Sequence, residues 1–128
     1  MTDTIGGTEP RLVDVRALAQ ALTSFANERD WEQFHSPKNL VMALTGEVGE
    51  LSEVFQWMTE ADSKVAATNP KSADAVRNEL ADVLLYLVRL ADVLGVDLNE
   101  AVRRKLEINA ANYPADKVRG TSTKYTES

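Results

Sequence analysis

Apolar residues recur along the chain at three- and four-residue spacing, broken by short polar stretches. Leu12, Val15, Leu18, Ala19, Leu22, Phe25 and Ala26 fall on one helical face and predict a first helix over residues 12–28. The connector that follows, 29–37, is rich in large side chains: Trp31, Phe34 and His35. A second stripe, Leu40, Leu44, Val48, Leu51, Val54, Phe55 and Met58, predicts a helix over 38–58. Residues 60–71 read as a polar loop with Asn69-Pro70 as its turn signal. Ser72 is placed to cap a third helix with the stripe Val76, Leu80, Val83, Leu87, Leu90 and Leu94, and Gly95 suits the positive φ of a helix end. Asp97, with Glu100 three residues on, resembles a capping box opening a fourth helix that ends near Tyr113-Pro114. No segment alternates long enough for a sheet, and no solenoid period appears.

The expected class is all-α: a four-helix bundle-like domain over 11–114, between a flexible N-terminal end, 1–10, and a polar tail, 115–128. Val83, Leu84, Leu87, Val88 and Ala91 nearly encircle the third helix, so it is expected to be buried on most sides. That burial would be completed by self-association.

Composition narrows the chemistry. The 128 residues include no cysteine, which excludes disulfides, thiolate metal sites and cysteine nucleophiles. A single histidine rules out sites needing two imidazoles from one chain. A metal would therefore be held mostly by oxygen, favouring Mg²⁺ or Mn²⁺. The net charge of −6 argues against a nucleic-acid partner, and the longest basic cluster is only Arg103-Arg104-Lys105. No apolar run approaches the roughly 18 to 20 residues of a membrane helix, and Met1–Pro10 shows no signal-peptide pattern. A cytoplasmic protein without a membrane partner is expected.

Two acid pairs stand out. At about 100° per residue, Leu40, Leu51, Val54 and Met58 all lie within about 40° of Glu47, which places this acid inside its apolar stripe. Glu50 lies about 60° to one side. On the third helix Val83 and Leu90 lie within about 40° of Glu79, and Asp82 is again about 60° away. Four carboxylates facing one another would repel, and burying them uncompensated costs several kcal/mol. One ammonium, such as Lys105, cannot neutralise four acids. A divalent cation can, and hard oxygen ligands at i and i+3 on two neighbouring helices suit Mg²⁺. The plainer alternative is a salt-bridge network at the edge of the core. Gly49, between the acids, costs about 1 kcal/mol in a helix and suggests a close approach by another helix or a ligand.

Carboxylate-held Mg²⁺ with open positions is a usual partner of phosphates. Trp57, seven residues beyond Glu50, falls on the same flank and offers a stacking surface for a base. Trp31 and His35 offer a second surface and a hydrogen bond, Tyr86 shares the face of Glu79, and Lys105 and Asn109 are one turn apart. Each has an ordinary structural reading as well, the aromatics as core and His35 as a turn residue. A di-iron bundle would need two Glu-x-x-His units; Glu32-Gln33-Phe34-His35 is one, and the single histidine forbids another. A non-catalytic acidic helical interaction module is the remaining alternative. No P-loop glycine pattern is present.

The segments RDWEQFH (29–35), GEVGELSEVFQW (46–57), ELADVLLYLVRLA (79–91), KLEINAANYP (105–114) and KYTE (124–127) resemble MazG-like nucleotide pyrophosphohydrolases of the all-α nucleoside triphosphate pyrophosphatase superfamily, with the dCTP pyrophosphatase branch the most similar. The resemblance implies Mg²⁺-dependent hydrolysis of a nucleoside triphosphate to monophosphate and pyrophosphate, and a tetramer built from dimers. By the same match Glu47, Glu50, Glu79 and Asp82 would hold the metal. Trp31, His35, Trp57 and Tyr86 would line the nucleoside pocket, and Lys105 and Asn109 would meet phosphate or sugar. Two positions depart from the pattern: Leu22, where some relatives carry a polar base-contacting residue, and Asn112, where a basic residue often sits.

Overall fold

The structure, a computed structural model, describes residues 10–122; the expected flexible end up to residue 9 and the KYTE segment lie outside the described residues. The chain divides into two compact units, Val15–Val96 and a second drawn from Met1–Asp14 with Asp97–Ser128.

The larger unit holds α1 (Arg16–Glu28), α2 (Pro37–Phe55), α3 (Glu60–Lys64) and α4 (Ala73–Leu94), with a 3₁₀ turn at Glu32–Phe34 before α2. Helix α2 packs along α4, the most extensive pairing in the unit, and α1 packs on α4 as well. Of the four most deeply buried side chains, Ala26, Leu40 and Val88 come one from each of these three helices, and Ala66 comes from the segment before α4.

Both ends that frame the connector are fixed locally. Helix α1 closes with Trp31 N donating to Ala26 O (2.9 Å) and Asp30 N to Asn27 O (3.2 Å), and Asp30 takes φ +54°. This is the left-handed helix stop that usually calls for glycine; an Asp tolerates it better than most residues. Gln33 Nε2 donates to the Asp30 carbonyl (3.0 Å) and carboxylate (3.2 Å), which secures the turn. Ser36 then caps α2 by accepting from Asn39 N, with Pro37 at the first helical position, where its missing N–H is no loss. At the end of α4 the same stop recurs with Gly95 at φ +71°, as the sequence predicts.

Several expectations are corrected. The 60–71 stretch contains the five-residue helix α3, capped by Thr59 through Asp62 N (3.1 Å). The Asn69-Pro70 turn is present, with Lys71 N donating to Asn69 Oδ1 (3.0 Å). Ser72 stands at the start of α4 without capping it, because its hydroxyl donates instead to Ala66 O (2.7 Å). The second helix stops at Phe55, short of Met58. The predicted stripe of α4 is covered only in part. Val76 is buried and Val83 and Leu90 are half-buried, whereas Leu80, Leu87 and Leu94 are exposed, and Ala73, Val88 and Ala91 outside the stripe are buried. The helix is apolar on more than one side, and packing covers only one of them.

The second unit carries α5 (Leu98–Asn112) and α6 (Ala115–Val118), the latter a short helix inside the expected polar tail. Asp97 caps α5 by accepting from Glu100 N (3.1 Å). The buried Asn99 accepts from both Leu12 N (2.8 Å) and Val13 N (3.0 Å) through Oδ1. Those two N–H groups explain why the first helix starts at Arg16 and not at Leu12: a side chain has taken the backbone donors of the segment. No strand occurs among the described residues.

Candidate functional site

Helix pairing brings the acids together. Glu47 and Glu50 are one turn apart on α2, Glu79 and Asp82 one turn apart on α4. Carboxylate oxygens of Glu47, Glu50 and Glu79 lie within 4.8 Å of one another. Glu50 is exposed, whereas Glu47 and Glu79 are half-buried, and one oxygen of each, Oε2, is shut off from water with no hydrogen-bond partner. Asp82 stands outside this trio, yet its charge acts on both Glu47 and Glu79.

The electrostatics follow from the packing. Loss of water at the helix interface, then shared hydrogen bonds with Glu79 and Glu50 and the negative charges of Glu50 and Asp82, push the Glu47 carboxyl up to about 7. Burial also raises Glu79, partly offset by its hydrogen bond with Glu47. The charges acting on Glu47 are thus negative, and no basic group relieves it. This is not the edge-of-core salt-bridge network, in which a cationic side chain would draw each carboxyl down.

The donor set fits a hard divalent cation. Three carboxylates supply only oxygen, and their spread matches the roughly 4 to 5 Å that opposite ligands of one such ion span. Two buried oxygens without donors are the kind of group that folded proteins satisfy with an ion or a proton. Gly49, expected to mark a close approach, has no atom outside its own helical turn within 4 Å of where a Cβ would stand, among the described residues. None of the described helices makes that approach.

Beside the acids lies a cleft of about 170 Å³, lined by Leu22, Phe25, Trp31, His35, Leu40, Asp82, Leu85, Tyr86 and Arg89. Whole ligands of drug size occupy roughly 300 to 1,000 Å³, so this cleft suits one flat part of a larger molecule. Asp82, Tyr86 and Arg89 follow Glu79 at helical spacing on α4, so one face of that helix carries both the acids and the cleft wall. The stop after α1 turns Trp31 back onto Phe25, ring centroids 5.6 Å apart at 66°, an edge-to-face pair. Arg29 covers the Phe25 ring at 3.5 Å.

The structure gathers Trp31, His35 and Tyr86 at the cleft, with Asp82 beside them. It does not place Trp57 there. That residue lies beyond the end of α2 and is 89% exposed, so its expected alignment with Glu50 ends where the helix does. Lys105 and Asn109 share a face of α5 in the second unit, the first exposed and the second half-buried. Leu22, noted as a departure, does line the cleft.

Sequence reasoning missed Arg89, which is only 8% exposed. Its Nε donates to His35 Nδ1 (3.1 Å) and its Nη1 to Thr23 Oγ1 (3.1 Å), with Asp92 Oδ2 at 3.7 Å. Thr23 in turn donates to Asp92 Oδ2 (3.2 Å). The signal was available: Arg89 is seven residues after Asp82, hence on the same flank, and is the lone cation in an apolar run.

Comparison with known proteins agrees with this geometry. The MazG-like family profile matches residues 43–127, which include both acid pairs. The chain is 51% identical to dCTP pyrophosphatase 1 of Homo sapiens over 119 residues, covering 93% of this chain and 68% of that protein. It is 50% identical to the Mus musculus protein of the same name, with the same coverage. A crystal structure of a pyrophosphatase from Archaeoglobus fulgidus superposes with a TM-score of 0.71 at 37% identity, covering 83% of this chain and 97% of that one. The paired acids, the helical pairing that converges them and these matches lead to one conclusion: the chain belongs to the MazG-like family.

Proposed function

We propose that this chain is a nucleoside triphosphate pyrophosphohydrolase that acts foremost on dCTP, yielding dCMP and pyrophosphate, and so controls a cytoplasmic nucleotide pool. The observation that carries this reading is the pair of buried, donorless oxygens of Glu47 and Glu79 on the helix faces that border an aromatic cleft. The substrate is taken from the dCTP pyrophosphatases at about half identity, and a cleft fit for one ring is consistent with it.

In this mechanism Glu47, Glu50 and Glu79 would hold Mg²⁺, or Mn²⁺ in its place, with Asp82 completing the negative field. The bound metal would supply charge to offset that growing on the leaving pyrophosphate. Glu50, the exposed member, orients the attacking water and accepts its proton as a bond forms to phosphorus and the phosphoanhydride oxygen leaves. Trp31 and Tyr86 enclose the base, and His35 donates a hydrogen bond to it. Lys105 and Asn109 are assigned to phosphate or sugar, and Trp57 to stacking, by family resemblance.

The test is a panel of the common nucleoside triphosphates with Mg²⁺, products resolved. Monophosphate plus pyrophosphate is expected, fastest from dCTP; diphosphate plus phosphate, or no turnover, overturns the reading.

The exposed apolar residues Val41, Met42 and Val48 on α2 and Leu80, Leu84 and Leu87 on α4 support assembly of the chain with copies of itself, a tetramer as a dimer of dimers. Sedimentation at micromolar concentration should give a tetramer; a monomer contradicts this assignment. No helix of the described residues is long and apolar enough to cross a membrane.

A further inference from the structure

His35 is the only histidine in the chain, and it sits at the cleft with one ring nitrogen already committed. The partner at that nitrogen is an arginine Nε–H, 3.1 Å from Nδ1. A guanidinium has five N–H donors, no acceptor, and does not give up its proton in proteins. Nδ1 must therefore be the acceptor, and it carries no hydrogen. The one proton of the neutral ring is left on Nε2.

The arginine is itself held. Its Nη1 donates to Thr23 Oγ1 and lies 3.7 Å from Asp92 Oδ2, and Thr23 donates to the same Asp92 oxygen. Arg89 is thus a buried fork between α1, α4 and the connector, with little freedom to swing away from the ring. We propose that Arg89 is a positioning residue that locks His35 into the Nε2–H form, so that the cleft presents a fixed hydrogen-bond donor to an acceptor atom of the bound nucleoside.

A locked donor selects among bases by chemistry. It pairs with a carbonyl or ring nitrogen, such as O2 or N3 of cytosine, and rejects an N–H or amino group at the same place, because Nε2 carries the proton and has no lone pair to accept another. An unlocked imidazole could offer either. The assignment of the acceptor to a nucleoside rests on the proposed function; the state of the ring does not.

The groups that face His35 set how the ring responds to pH. Arg89, Asp82 and Tyr86 face it from α4, Glu32 from the 3₁₀ turn, and only apolar side chains from α1 and α2. Burial and then Arg89 hold the imidazole below its ordinary range, against the opposing pull of Glu32. Both of the first two influences favour the neutral ring.

Because there is a single histidine, ¹⁵N NMR of the tag-free full chain reads this ring alone. In the wild type at about pH 7.5, a unit above the ordinary imidazole value, Nδ1 should appear unprotonated and Nε2 protonated. Arg89→Met should release the ring into mixed tautomers that titrate nearer the ordinary imidazole value. For dCTP, its KM should rise about tenfold, the effect of one lost hydrogen bond, with kcat changed less than about twofold. The rise in KM should steepen below pH 6.5, where the freed ring charges. Thr23→Val, nearly isosteric, should produce a smaller shift of the same kind and serves if Arg89→Met does not fold. A wild-type ring with Nδ1 protonated overturns the proposal, as does a ring unchanged by either substitution. If the ring behaves as expected but no triphosphate is hydrolysed, the nucleotide assignment fails and the lock stands.

Discussion

Glu47→Ala is expected to lower nucleotide hydrolysis by at least about 10³-fold, because a ligand to the charge-stabilising metal is worth several kcal/mol of barrier. The same substitution should make the protein without metal harder to melt. Alanine is the best helix former, and its introduction removes a half-buried carboxyl whose neighbours are all negative. Activity and stability therefore move in opposite directions, the pattern of a residue kept for chemistry at the expense of the fold. Circular dichroism melts in EDTA, set beside turnover of dCTP with Mg²⁺, check both arms. A melting point that falls on substitution would mean that Glu47 is held by a favourable partner, and the metal-centre reading would be lost with it.

The second large effect is the response of stability to pH and Mg²⁺ together. Glu47 titrates at about 7 in the folded chain, against 4.5 ordinarily. Between those values the folded state keeps a proton that the unfolded state has given up. Stability contributed by this group is thus full below pH 4.5 and lost as pH rises through about 7. Glu79, raised for the same first reason of burial, acts in the same direction. On the proposed function Mg²⁺ would bind the ionised cluster, so its contribution should grow over the same range, reaching about 2.7 kcal/mol at a hundredfold excess over Kd. Melting curves from pH 5 to 8 should show the gap between Mg²⁺ and EDTA widening with pH. A gap that is constant or narrows would show that the ion does not displace these protons.

How far the sequence alone leads depends on what each signal measures. The 3.6-residue period located the bodies of α1, α2 and α4, and the Asp97–Glu100 capping pattern located the start of α5. The period could not say which side of α4 is covered, because Leu80, Leu84 and Leu87 are as apolar as Val76, Val88 and Ala91. Helix α3 spans five residues, too few for a period to register. The start of α1 was set by Asn99, a side chain 87 residues from Leu12, which no local pattern carries.

The acids were legible for a different reason. A carboxylate inside an apolar stripe is a contradiction visible in one helix, and seeing it twice implied a common solution. The alignment of Trp57 with Glu50 does not hold, because a helical wheel extends past the point where the backbone leaves the helix. Arg89 was passed over as one more solvated charge, when its place in an apolar run on the flank of Asp82 had marked it as buried.

Asp30 has a consequence for how a ligand is received. By accepting a left-handed backbone where glycine is usual, it joins α1 to the 3₁₀ turn without slack, and Gln33, Ser36 and Asn39 tie down the rest. The chain's own contacts thus fix the aromatic wall. On the proposed function, a ring entering between Trp31 and Tyr86 would have no loop to tame, and its contact energy would go into telling one base from another.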